Sequence, residues 1–373
     1  MRKKGVLLVT NSFEHDSRVL KEAITLRNVG YDVTVVAMHK VGLEEFDVVN
    51  QIPVHRIKIK TKKWGHSIFA LGFKYLEFLF CFLMQYREID FIHCNDLDTL
   101  PIGVLYRWII NRRVKIIYDA HEFEIDHATK SSDNMKKRLY YVERFFIKKV
   151  DAMITVGSKI ADIYMNLYHI EKPTVVMNCP NMKDISCSNR ILRTELGIND
   201  SDLLFIYQGG IGPGRSVELL LETFKLLPKH YVIVFMGYGP FVKEVELMAA
   251  AYSNIYYYPP VSYDKILAYT CSADYAFSLI ENVNISYKYS LPNKFFEYIN
   301  ARVPVIVYSH GEMPNIVEDY SLGYIWDDKK EKLEEFLLKL PDMSKPKGLG
   351  STIFNWENEE VKLIELYKKT LSL

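Results

Sequence analysis

The feature that most constrains this chain is an alternation of short apolar runs, rich in Val, Ile and Tyr, with longer stretches of helical period. Such alternation is typical of α/β proteins with parallel sheets, whose strands are buried on both faces. The alternation occurs twice, and 373 residues are enough for two domains. We therefore expect an α/β fold of two Rossmann-like, doubly wound domains that face a cleft, with ligands bound beyond the carboxyl ends of the strands.

The periodicity also places the elements and the domain boundaries. In the first half it predicts strands at 5–10, 32–38, 90–94, 114–118, 152–156 and 174–178. In the second half it predicts strands at 203–208, 231–236, 254–258, 274–279, 303–308 and 323–326, with helices at about 215–227, 240–251, 262–271, 292–301 and 330–340. A polar linker after Pro180 predicts an N-terminal domain at 1–180 and a C-terminal domain at 181–350. The remaining segment, 351–373, is predicted to be a helix that crosses back to the N-terminal domain.

A glycine-rich segment follows the first strand of the second half. Leu203 to Arg215 reads as a strand, a turn that includes Gly210 and Gly212, and the start of a helix. Glycines let backbone N–H groups approach a phosphate, and a helix start adds a favourable dipole. The dinucleotide fingerprint G-x-G-x-x-G fails because Arg215 stands where its last glycine belongs, which disfavours a dehydrogenase. An arginine there suits a diphosphate, although a plain turn with a solvated arginine is the alternative.

A second segment places polar groups on one face of a helix. Pro292 suits the first turn, and Asn293, Lys294 and Glu297 are spaced three or four residues apart. A lysine at a helix start is suited to a phosphate, and a carboxylate one turn later is suited to a pair of ribose hydroxyls. The alternative is an ordinary helix with one surface ion pair.

Taken together, several segments make the chain resemble the retaining GT-B-fold glycosyltransferases of family four, particularly the bacterial surface-polysaccharide type. The segments occur in the same order over nearly the whole chain: 12–36, 90–96, 118–122, 208–215, 236–240 and 291–298. The resemblance implies a sugar-nucleotide-binding C-terminal domain and an acceptor-binding N-terminal domain.

The resemblance also implies roles for particular residues. The donor nucleotide site would consist of Gly210, Gly212, Arg215, Gly237, Asn293, Lys294 and Glu297. Arg215 and Lys294 would hold the diphosphate and stabilise it as the glycosidic bond breaks, while Glu297 would hold the ribose. His121 would face the transferred sugar, which makes His121, Arg215 and Lys294 the candidate catalytic residues. The alternative for His121 is a strand-end histidine bonded to Asp119 or Glu122.

The chain departs from the family at the donor sugar. Many members carry Glu-x7-Glu, but Tyr289 stands eight residues before Glu297. We expect Glu281, at a strand end, to contact the donor sugar instead, together with Tyr289. Asp16 and Arg18, on the loop after the first strand, are expected near the acceptor, although Asp16 suits a helix cap equally well.

Asp96-Leu97-Asp98 matches the Asp-x-Asp of metal-dependent transferases of another fold. We expect Asp98 to cap a helix instead, and we expect no metal ion and no cofactor. The resemblance implies front-face, retaining transfer of a hexosyl or N-acetylhexosaminyl group from a nucleoside-diphosphate sugar, UDP-linked rather than GDP-linked, to a saccharide or a lipid-linked acceptor.

Residues 64–84 form an apolar stretch interrupted by Lys74 and Glu77. They predict a buried helix, or a helix that lies on a membrane surface, and they disfavour a spanning one. Five basic residues, Arg56, Lys58, Lys60, Lys62 and Lys63, precede this stretch, and the first three alternate with Ile57 and Ile59, which predicts a strand at 56–63 with one basic face. The residues expected to add positive charge to an interfacial helix are Arg107, Arg112, Arg113, Lys136, Lys137 and Arg138. The interfacial interpretation predicts peripheral association with anionic membranes at the inner face of the plasma membrane.

Charge and cysteines bear on location. The net charge of +1 argues against a nucleic-acid-coating protein, although 1–180 is net +6 and 181–373 is net −5. The five cysteines form no Cys-x-x-Cys pair, and the apolar start is too short for a signal peptide, so we expect a cytoplasmic protein. The alternative functions are a sugar-nucleotide epimerase and a non-catalytic, glycosyltransferase-like binding subunit.

Overall fold

The computed structural model describes residues 2–14, 16–65, 67–126, 132–181, 190–343, 346 and 352–372. Contacts divide the chain into two compact units. The first unit comprises Met1–Val176 with Glu360–Leu373, and the second comprises Met177–Glu359. Each unit is an α/β domain with a largely parallel, Rossmann-like sheet, which confirms the fold class. The expected linker lies mostly outside the described residues, since 182–189 are among those not described.

The first unit contains an eight-stranded sheet in the order β3-β4-β2-β1-β5-β6-β7-β8. Its strands are β1 (Lys4–Leu8), β2 (Asp32–Met38), β3 (Phe46–Val49), β4 (Ile52–Ile57), β5 (Phe91–Asn95), β6 (Lys115–Ala120), β7 (Ala152–Thr155) and β8 (Thr174–Val175). All pairs are parallel except β3 with β4. The strand order reverses between β1 and β5, so the loops after these strands border a crevice of the kind that binds ligands.

Six α-helices belong to the first unit wholly or largely. They are α1 (Ser17–Asn28), α2 (Ile68–Gln85), α3 (Asp96–Ile109), α4 (Asp133–Ile147), α5 (Ser158–Tyr168) and the last helix of the chain, Trp356–Leu371, of which residues from Glu360 onward pack with this unit. Asp16 caps α1 by accepting a hydrogen bond from the Val19 N–H at 3.2 Å. The expected capping role of Asp16 is therefore present in the structure.

The second unit contains a six-stranded, fully parallel sheet in the order β11-β10-β9-β12-β13-β14. Its strands are β9 (Leu203–Gly210), β10 (Tyr231–Tyr238), β11 (Ile255–Tyr258), β12 (Tyr275–Ser278), β13 (Val305–Tyr308) and β14 (Gly323–Trp326). The central strands are buried on both faces because helices cover both sides of the sheet. Here the order reverses between β9 and β12, so the loops after these two strands border the crevice.

The helices of the second unit follow the predicted pattern closely. They are α6 (Ile191–Leu196), α7 (Val217–Leu226), α8 (Val242–Ala251), α9 (Ile266–Thr270), α10 (Ile285–Lys288), α11 (Asn293–Asn300), α12 (Met313–Tyr320) and α13 (Leu333–Lys339), and the last helix of the chain, Trp356–Leu371, is α14. Apolar residues of α7 and α11 enter the two hydrophobic clusters on either side of the sheet.

The structure corrects the prediction of a basic strand at 56–63. The antiparallel pair β3 and β4 was not predicted, and β4 ends at Ile57. Arg56 points inward, where it donates to Asp47 at 2.8 Å and to the Ser12 carbonyl at 2.9 Å. Lys60–Lys63 form a short 3-10 helix instead. Burial of the Arg56 stem against the core was decisive, because alternation of charge along a strand does not reveal which face is covered.

Two smaller expectations also change, at Asp98 and at the cysteines. Asp98 is not a helix cap, since α3 begins at Asp96 after Asn95, and Asp98 lies in its first turn and accepts from the Thr10 hydroxyl. No helix in the described part of the chain is long and apolar enough to cross a membrane. Cys271 is disulfide-bonded, so cysteine usage alone does not indicate a reducing compartment.

Candidate functional site

In the second unit, the loops after β9 and β12 are joined at the point where the strand order reverses. The loop after β9 carries Gly212 and Gly214, and Ser216 precedes α7 with a positive φ of 54°. Glu281, which follows β12, accepts a hydrogen bond from the Ser216 N–H at 3.0 Å and donates its own N–H to the Gly214 carbonyl at 3.0 Å. These bonds fix the glycine-rich loop to the neighbouring strand end.

Two glycines are required by their surroundings. Gly214 has a φ of 73°, and a Cβ there would lie 2.6 Å from the Tyr287 ring. A Cβ at Gly237, on β10, would overlap the carbonyl oxygen of Gly209 on β9. The backbones of these two strand ends therefore approach each other closely, which leaves backbone groups rather than side chains at the mouth of the crevice.

Helix α11 is held against the end of β9 by a hydrogen bond from the β9 backbone and by an apolar face. The Gln208 N–H donates to the buried Tyr298 hydroxyl at 2.8 Å. Phe295 and Phe296 lie in the core cluster beneath the helix. Lys294 lies one helical turn before Tyr298 on α11. The bond to Tyr298 therefore also places Lys294 near the end of β9.

Lys294 is the most unusual charge in the second unit. Its side chain is 5% exposed, and its Nζ has no hydrogen-bond partner among the described residues. The Nζ lies 3.8 Å from the centre of the Tyr207 ring, a cation–π distance. Burial lowers the pKa of Lys294 well below its ordinary value, and the charge of Arg215 lowers it further, while Glu297 opposes both. An anion placed beside Nζ would supply the missing partner.

Glu297 is oriented by a chain of hydrogen bonds. Gln208 Nε2 donates to Glu297 Oε2 at 2.5 Å, and Thr270 Oγ1 donates to Gln208 Oε1 at 2.6 Å. Thr270 is fully buried, so this chain is anchored in the core. The result is a carboxylate held at the strand end, one helical turn from Lys294.

Arg215 completes this group. It is half-buried, and Nε lies near Gly210, where an added Cβ would be 3.8 Å away. No ion pair joins it to any carboxylate in the described part of the chain. The structure thus brings Gly210, Arg215, Lys294 and Glu297 together, in agreement with the proximity that the sequence predicted.

The remaining predicted donor residues lie nearby with other contacts. Asn293 is exposed at the start of α11 and accepts from Asn178 Nδ2 at 2.8 Å. One oxygen of Glu281 is used in bracing the glycine-rich loop. Tyr289 is half-buried, with Lys288 Nζ 5.2 Å from its ring centre. Contact of Glu281 and Tyr289 with a sugar stays a prediction.

In the first unit, His121 follows β6 and lies among polar groups from neighbouring strand ends. Its Nε2 is 3.1 Å from Asp119 Oδ2 and 3.2 Å from Asn95 Oδ1, and its Nδ1 is 3.4 Å from Asp96 Oδ1. Burial opposes the charged imidazolium, but Asp96 and Asp119 outweigh it and raise the pKa of His121 to about 10. The bond to Asp119 that the sequence offered as an alternative is present.

Arg18 is placed differently from its expected acceptor role. It is 3% exposed, and its guanidinium donates to both oxygens of Asp119 at 2.8 Å and to the Val176 carbonyl at 2.9 Å. This burial corrects the prediction that Arg18 contacts an acceptor. Asp16 is more accessible: one of its oxygens caps α1, and the other accepts from Asn11 Nδ2 at 3.0 Å.

Sequence reasoning missed the roles of Tyr207 and Gln208 and the bond between Asp119 and Arg18, although it named Asp119 as a partner for His121. Tyr207 provides the ring beneath Lys294, Gln208 orients Glu297, and Asp119 joins Arg18 to His121. The only signal for them was position, because each lies at or next to the carboxyl end of a predicted strand. A search restricted to strand ends would have found them.

Comparison with known proteins adds the family. Residues 17–180 match the model of glycosyltransferase family 4, and residues 188–347 match that of the glycosyl transferases group 1. Each model covers most of one predicted domain, and together they cover most of the chain.

Solved structures with the same fold are distant in sequence. Sucrose-phosphate synthase from Thermosynechococcus elongatus is 13% identical, with a TM-score of 0.79 and full coverage of both chains. HepE from Anabaena in complex with UDP-glucose is 14% identical, with a TM-score of 0.73 and coverage of 98% of this chain and 99% of that one. The catalytic domain of starch synthase IV from Arabidopsis thaliana, bound to ADP and acarbose, is 14% identical, with a TM-score of 0.69 and full coverage of both.

These neighbours share the two-domain GT-B architecture, and their low identity limits what they establish to the fold. The domain matches establish the class of protein. The chain is a glycosyltransferase, built from a glycosyltransferase family 4 domain followed by a glycosyl transferases group 1 domain.

Proposed function

We propose that the protein is a retaining glycosyltransferase that moves a sugar from a nucleoside-diphosphate sugar to a saccharide or lipid-linked acceptor in surface polysaccharide synthesis. The observation that carries the donor assignment is the buried Lys294, whose Nζ lacks a hydrogen-bond partner among the described residues. Arg215 adds a second positive charge near it, as its effect on the pKa of Lys294 shows. Two cations that repel each other at a glycine-rich strand end are suited to a diphosphate.

Glu297 supports the nucleoside half of the same donor. Its carboxylate is held by Gln208 near the end of β9, a distance of one helical turn from Lys294. A carboxylate accepts hydrogen bonds from two adjacent hydroxyls, which is the pattern that a ribose offers. The Anabaena neighbour was solved with UDP-glucose, so UDP is the first nucleotide to test.

The proposed chemistry follows from the charge that develops on the donor. As the glycosidic bond breaks, the nucleoside diphosphate gains negative charge, and Lys294 and Arg215 are already in place to stabilise it. One preorganised group of this kind contributes about 3–4 kcal/mol, if the oxyanion-hole magnitude applies here. In front-face transfer the departing phosphate helps to deprotonate the acceptor, so no metal ion is needed in this proposal. Contact of His121 with the transferred sugar remains a proposal that rests on the family resemblance.

The experiment is thermal unfolding with UDP, GDP, CMP, ADP and NAD, each in EDTA and in magnesium. At a concentration of about 100 times Kd a ligand adds about 2.7 kcal/mol of stability, which raises Tm by several degrees. We expect UDP to raise Tm in EDTA for the wild type, and we expect Glu297→Ala to lose most of that effect. Stabilisation by NAD alone, or by no nucleotide, would overturn the donor assignment. A requirement for magnesium would overturn the metal-free mechanism.

Stereochemistry and acceptor need separate measurements. The anomeric configuration of the product, read by NMR during transfer from a UDP-sugar, distinguishes retention from inversion. Conversion of the donor without an acceptor would instead favour an epimerase or a hydrolase. WaaG, a glycosyltransferase involved in lipopolysaccharide biosynthesis, shares the fold with a TM-score of 0.62 and 15% identity, and lipid-linked saccharides are accordingly the first acceptors to test.

The first unit has a surface suited to an anionic membrane, the proposed location of such acceptors. Helix α2 buries Phe78 and Phe82 fully, yet it exposes a row of large apolar side chains on its other side. That row consists of Phe69, Phe73, Leu76, Phe80 and Met84, with Phe69 83% exposed. The buried-helix interpretation therefore accounts for only one face of α2.

Neighbouring helices extend this surface. Phe82 of α2 contacts Tyr106 of α3, and Trp108 of α3 contacts Phe145 of α4 at a centroid distance of 6.1 Å. The exposed residues there combine apolar and basic groups: Trp108, Ile109, Arg112, Arg113, Met135, Lys137, Arg138, Tyr141, Val142, Arg144 and Phe145. Arg107 and Lys136, which the sequence included, are instead paired with Asp151 and Asp126. Apolar side chains among cations match the chemistry of an anionic lipid surface.

Sedimentation with vesicles tests this surface. We expect the full chain to bind vesicles that contain anionic phosphatidylglycerol, to bind neutral phosphatidylcholine vesicles weakly, and to lose binding in high salt. The double variant Phe69→Ser/Phe80→Ser should lose binding. Leu247→Ser, which removes an equally exposed apolar side chain from the second unit, is the matched control and should bind normally. Equal binding by both variants would overturn the docking surface.

A further inference from the structure

His121 lies between two carboxylates that approach opposite ring nitrogens. Asp119 Oδ2 is 3.1 Å from Nε2, and Asp96 Oδ1 is 3.4 Å from Nδ1. A neutral imidazole has one N–H donor and one bare nitrogen, so one of the two carboxylates would then face a lone pair. The imidazolium carries a proton on both nitrogens and satisfies both carboxylates. The geometry by itself therefore favours the charged ring.

The groups behind His121 keep Asp119 ionised. Arg18, on α1, binds both oxygens of Asp119, and its Nε is 3.3 Å from Glu22 Oε1. His93, on β5, has its Nε2 3.4 Å from Glu22 and 3.6 Å from Asp119, and its Nδ1 is 2.6 Å from the Tyr367 hydroxyl. Burial, mainly, raises the pKa of Glu22, and burial lowers that of His93, which favours the neutral form of each.

The charges of this group then balance. Arg18 and His121 are positive, while Asp119 and Asp96 are negative. Arg18, then His121, lower the pKa of Asp119 well below its ordinary value, against the effect of its burial. Asp98, the other acidic group in the first turn of α3, interacts only weakly with His121 and is bonded to Thr10. A balanced, buried set of this kind is stable only while each charge keeps its partner.

The same residues also have the spacing of a metal site, since ligand atoms of Glu22, His93 and Asp119 lie within 4.8 Å of one another. The guanidinium of Arg18 already occupies the space between the two carboxylates, with bonds of 2.8 Å to Asp119 and a contact of 3.3 Å to Glu22. A divalent cation there would face a fixed positive charge. We therefore interpret the group as an ion-pair network.

Asp96 adds an independent sign of function. It has a φ of 62°, in the left-handed region that costs a non-glycine residue about 1–3 kcal/mol, and it starts α3 directly after β5. In this conformation its Oδ1 accepts from the backbone N–H of His121 at 3.3 Å as well as facing the ring. Its side chain remains 41% exposed. The strain is thus associated with bringing a carboxylate to His121 from the solvent side.

We propose that Asp96 and Asp119 are positioning residues that hold His121 as a fixed imidazolium, so that His121 serves the transfer reaction as a permanent positive charge and not as a proton acceptor. The raised pKa of His121 agrees with this assignment. The catalytic meaning of the charge rests on the proposed function, but the charge itself does not. A fixed cation would stabilise negative charge that develops in the reaction and could not accept the proton of the acceptor.

The test is an NMR titration of the full chain with ¹⁵N-labelled histidine, in which His121→Gln identifies the resonances. We expect the ring of His121 to stay doubly protonated from about pH 6 to about pH 8.5. Over this range an unperturbed histidine, with a pKa of about 6.5, loses its proton. Asp96→Asn should lower the pKa of the ring by at least one unit. Asp98→Asn, which removes the same charge two residues away without a ring contact, should leave it nearly unchanged. A wild-type ring that titrates near 6.5 would overturn the proposal.

A second readout separates positioning from mere structure. Asp96 is partly exposed, so Asp96→Asn is expected to fold, which thermal unfolding checks; Asp119→Asn is the stronger variant if it folds too. In transfer assays the wild type should show no loss of kcat with a pKa between 6 and 8.5, whereas Asp96→Asn should acquire a loss on the alkaline side. Unchanged pH profiles in both variants would overturn the positioning role. If no nucleotide sugar supports transfer, the proposed function fails, but the NMR titration still decides the charge of His121.

Discussion

The two units bury positive charge in opposite ways. In the first unit Arg18 is bonded to both oxygens of Asp119, and His121 lies between Asp119 and Asp96. In the second unit Lys294 is just as deeply buried, but among the described residues its Nζ has no hydrogen-bond partner; it lies over the Tyr207 ring, is repelled by Arg215 and is attracted by Glu297. Glu297, the nearest acid, bonds to Gln208.

This difference helps to distinguish an ion-pair network, in which a buried charge has its partner within the chain, from a binding site, in which a ligand supplies the partner. Burying an ion costs several kcal/mol, and a partner within the chain repays that cost. Where the partner is present, as for Arg18, the charge contributes to folding. Where the described residues supply no hydrogen-bond partner, as for Lys294, we expect a bound ligand to offset the cost. The first unit should therefore respond to mutation in stability, and the second in binding and transfer.

The largest expected effect is on the stability of the first unit. Arg18→Met removes the partner of a fully buried carboxylate and should cost about 3–5 kcal/mol of unfolding free energy. Urea unfolding measures this loss. Arg112→Met, at an exposed site, is the control and should cost less than about 0.5 kcal/mol. Equal stabilities for the two variants would remove the contrast between the units.

The next effect is on transfer by the second unit. Lys294→Met should lower kcat/KM by about 10²- to 10³-fold, because a preorganised cation at the diphosphate is lost. Its unfolding free energy should stay equal or rise, since a poorly compensated buried charge is removed. Steady-state kinetics and urea unfolding are the two measurements, with the exposed Lys243→Met as control. A large loss of stability with normal transfer would mean that Lys294 is structural.

Proton uptake provides a smaller, more specific effect. Burial, and then the charge of Arg215, lower the pKa of Lys294 in the free protein. A bound diphosphate favours the ammonium, so UDP binding on the alkaline side should be accompanied by proton uptake, to a maximum of one proton. Calorimetry in two buffers of different ionisation enthalpy measures the number. Binding without uptake, or uptake that persists in Lys294→Met, would contradict this assignment.

The same shift has a consequence for the free protein. A lysine whose pKa is lower in the folded state binds fewer protons there than in the unfolded chain. The folded state should therefore gain stability from Lys294 as the pH rises toward the unfolded value of about 10.4. The pair of Asp119 and His121 behaves in the reverse way, because the pKa of His121 is raised to about 10, so its stabilising effect is lost progressively as the pH rises from the unfolded value of about 6.5 to about 10.

The smallest effect concerns Asp16, at the edge of the first unit's site. If it acts only as a cap, Asp16→Ala should cost about 1 kcal/mol while Asp16→Asn costs little, because asparagine caps nearly as well. Thermal unfolding measures the cost, and acceptor KM is measured in parallel. An increase in acceptor KM in both variants would show that Asp16 also contacts the acceptor, which its half-exposed side chain permits.

The sequence predicted the fold and the donor group well, because both depend on local pattern. Strands such as 32–38 and 323–326 match the structure to the residue, and the spacing of Lys294 and Glu297 placed them on one helical face as predicted. Glycine positions also indicate where two stretches of backbone approach each other closely. These predictions agree with the structure because periodicity and chain stiffness are properties of short segments.

The residues that sequence reasoning misplaced depend on contacts distant along the chain. Arg18 and Asp119 are 101 residues apart, and nothing near Arg18 indicates that a carboxylate will neutralise it. Arg56 was expected on a basic surface, but Asp47 and three backbone carbonyls surround it. In the sequence such a side chain has a charge that could bind a ligand or a lipid. In the structure that charge is already paired with a group distant along the chain. Such pairings cannot be read from periodicity.

The first unit is built from two separate stretches of the chain. This arrangement affects the order in which the two units complete their cores during synthesis. Tyr367, on the last helix, bonds to the buried His93, and Lys3 contacts the carbonyl of Leu371. During synthesis, residues up to 176 leave the ribosome long before 360–373 do, and the whole second unit emerges between them. The second unit is continuous from 177 to 359 and can complete its core first. The first unit can form the bond between His93 and Tyr367 only after the last helix has emerged, so its core is completed last.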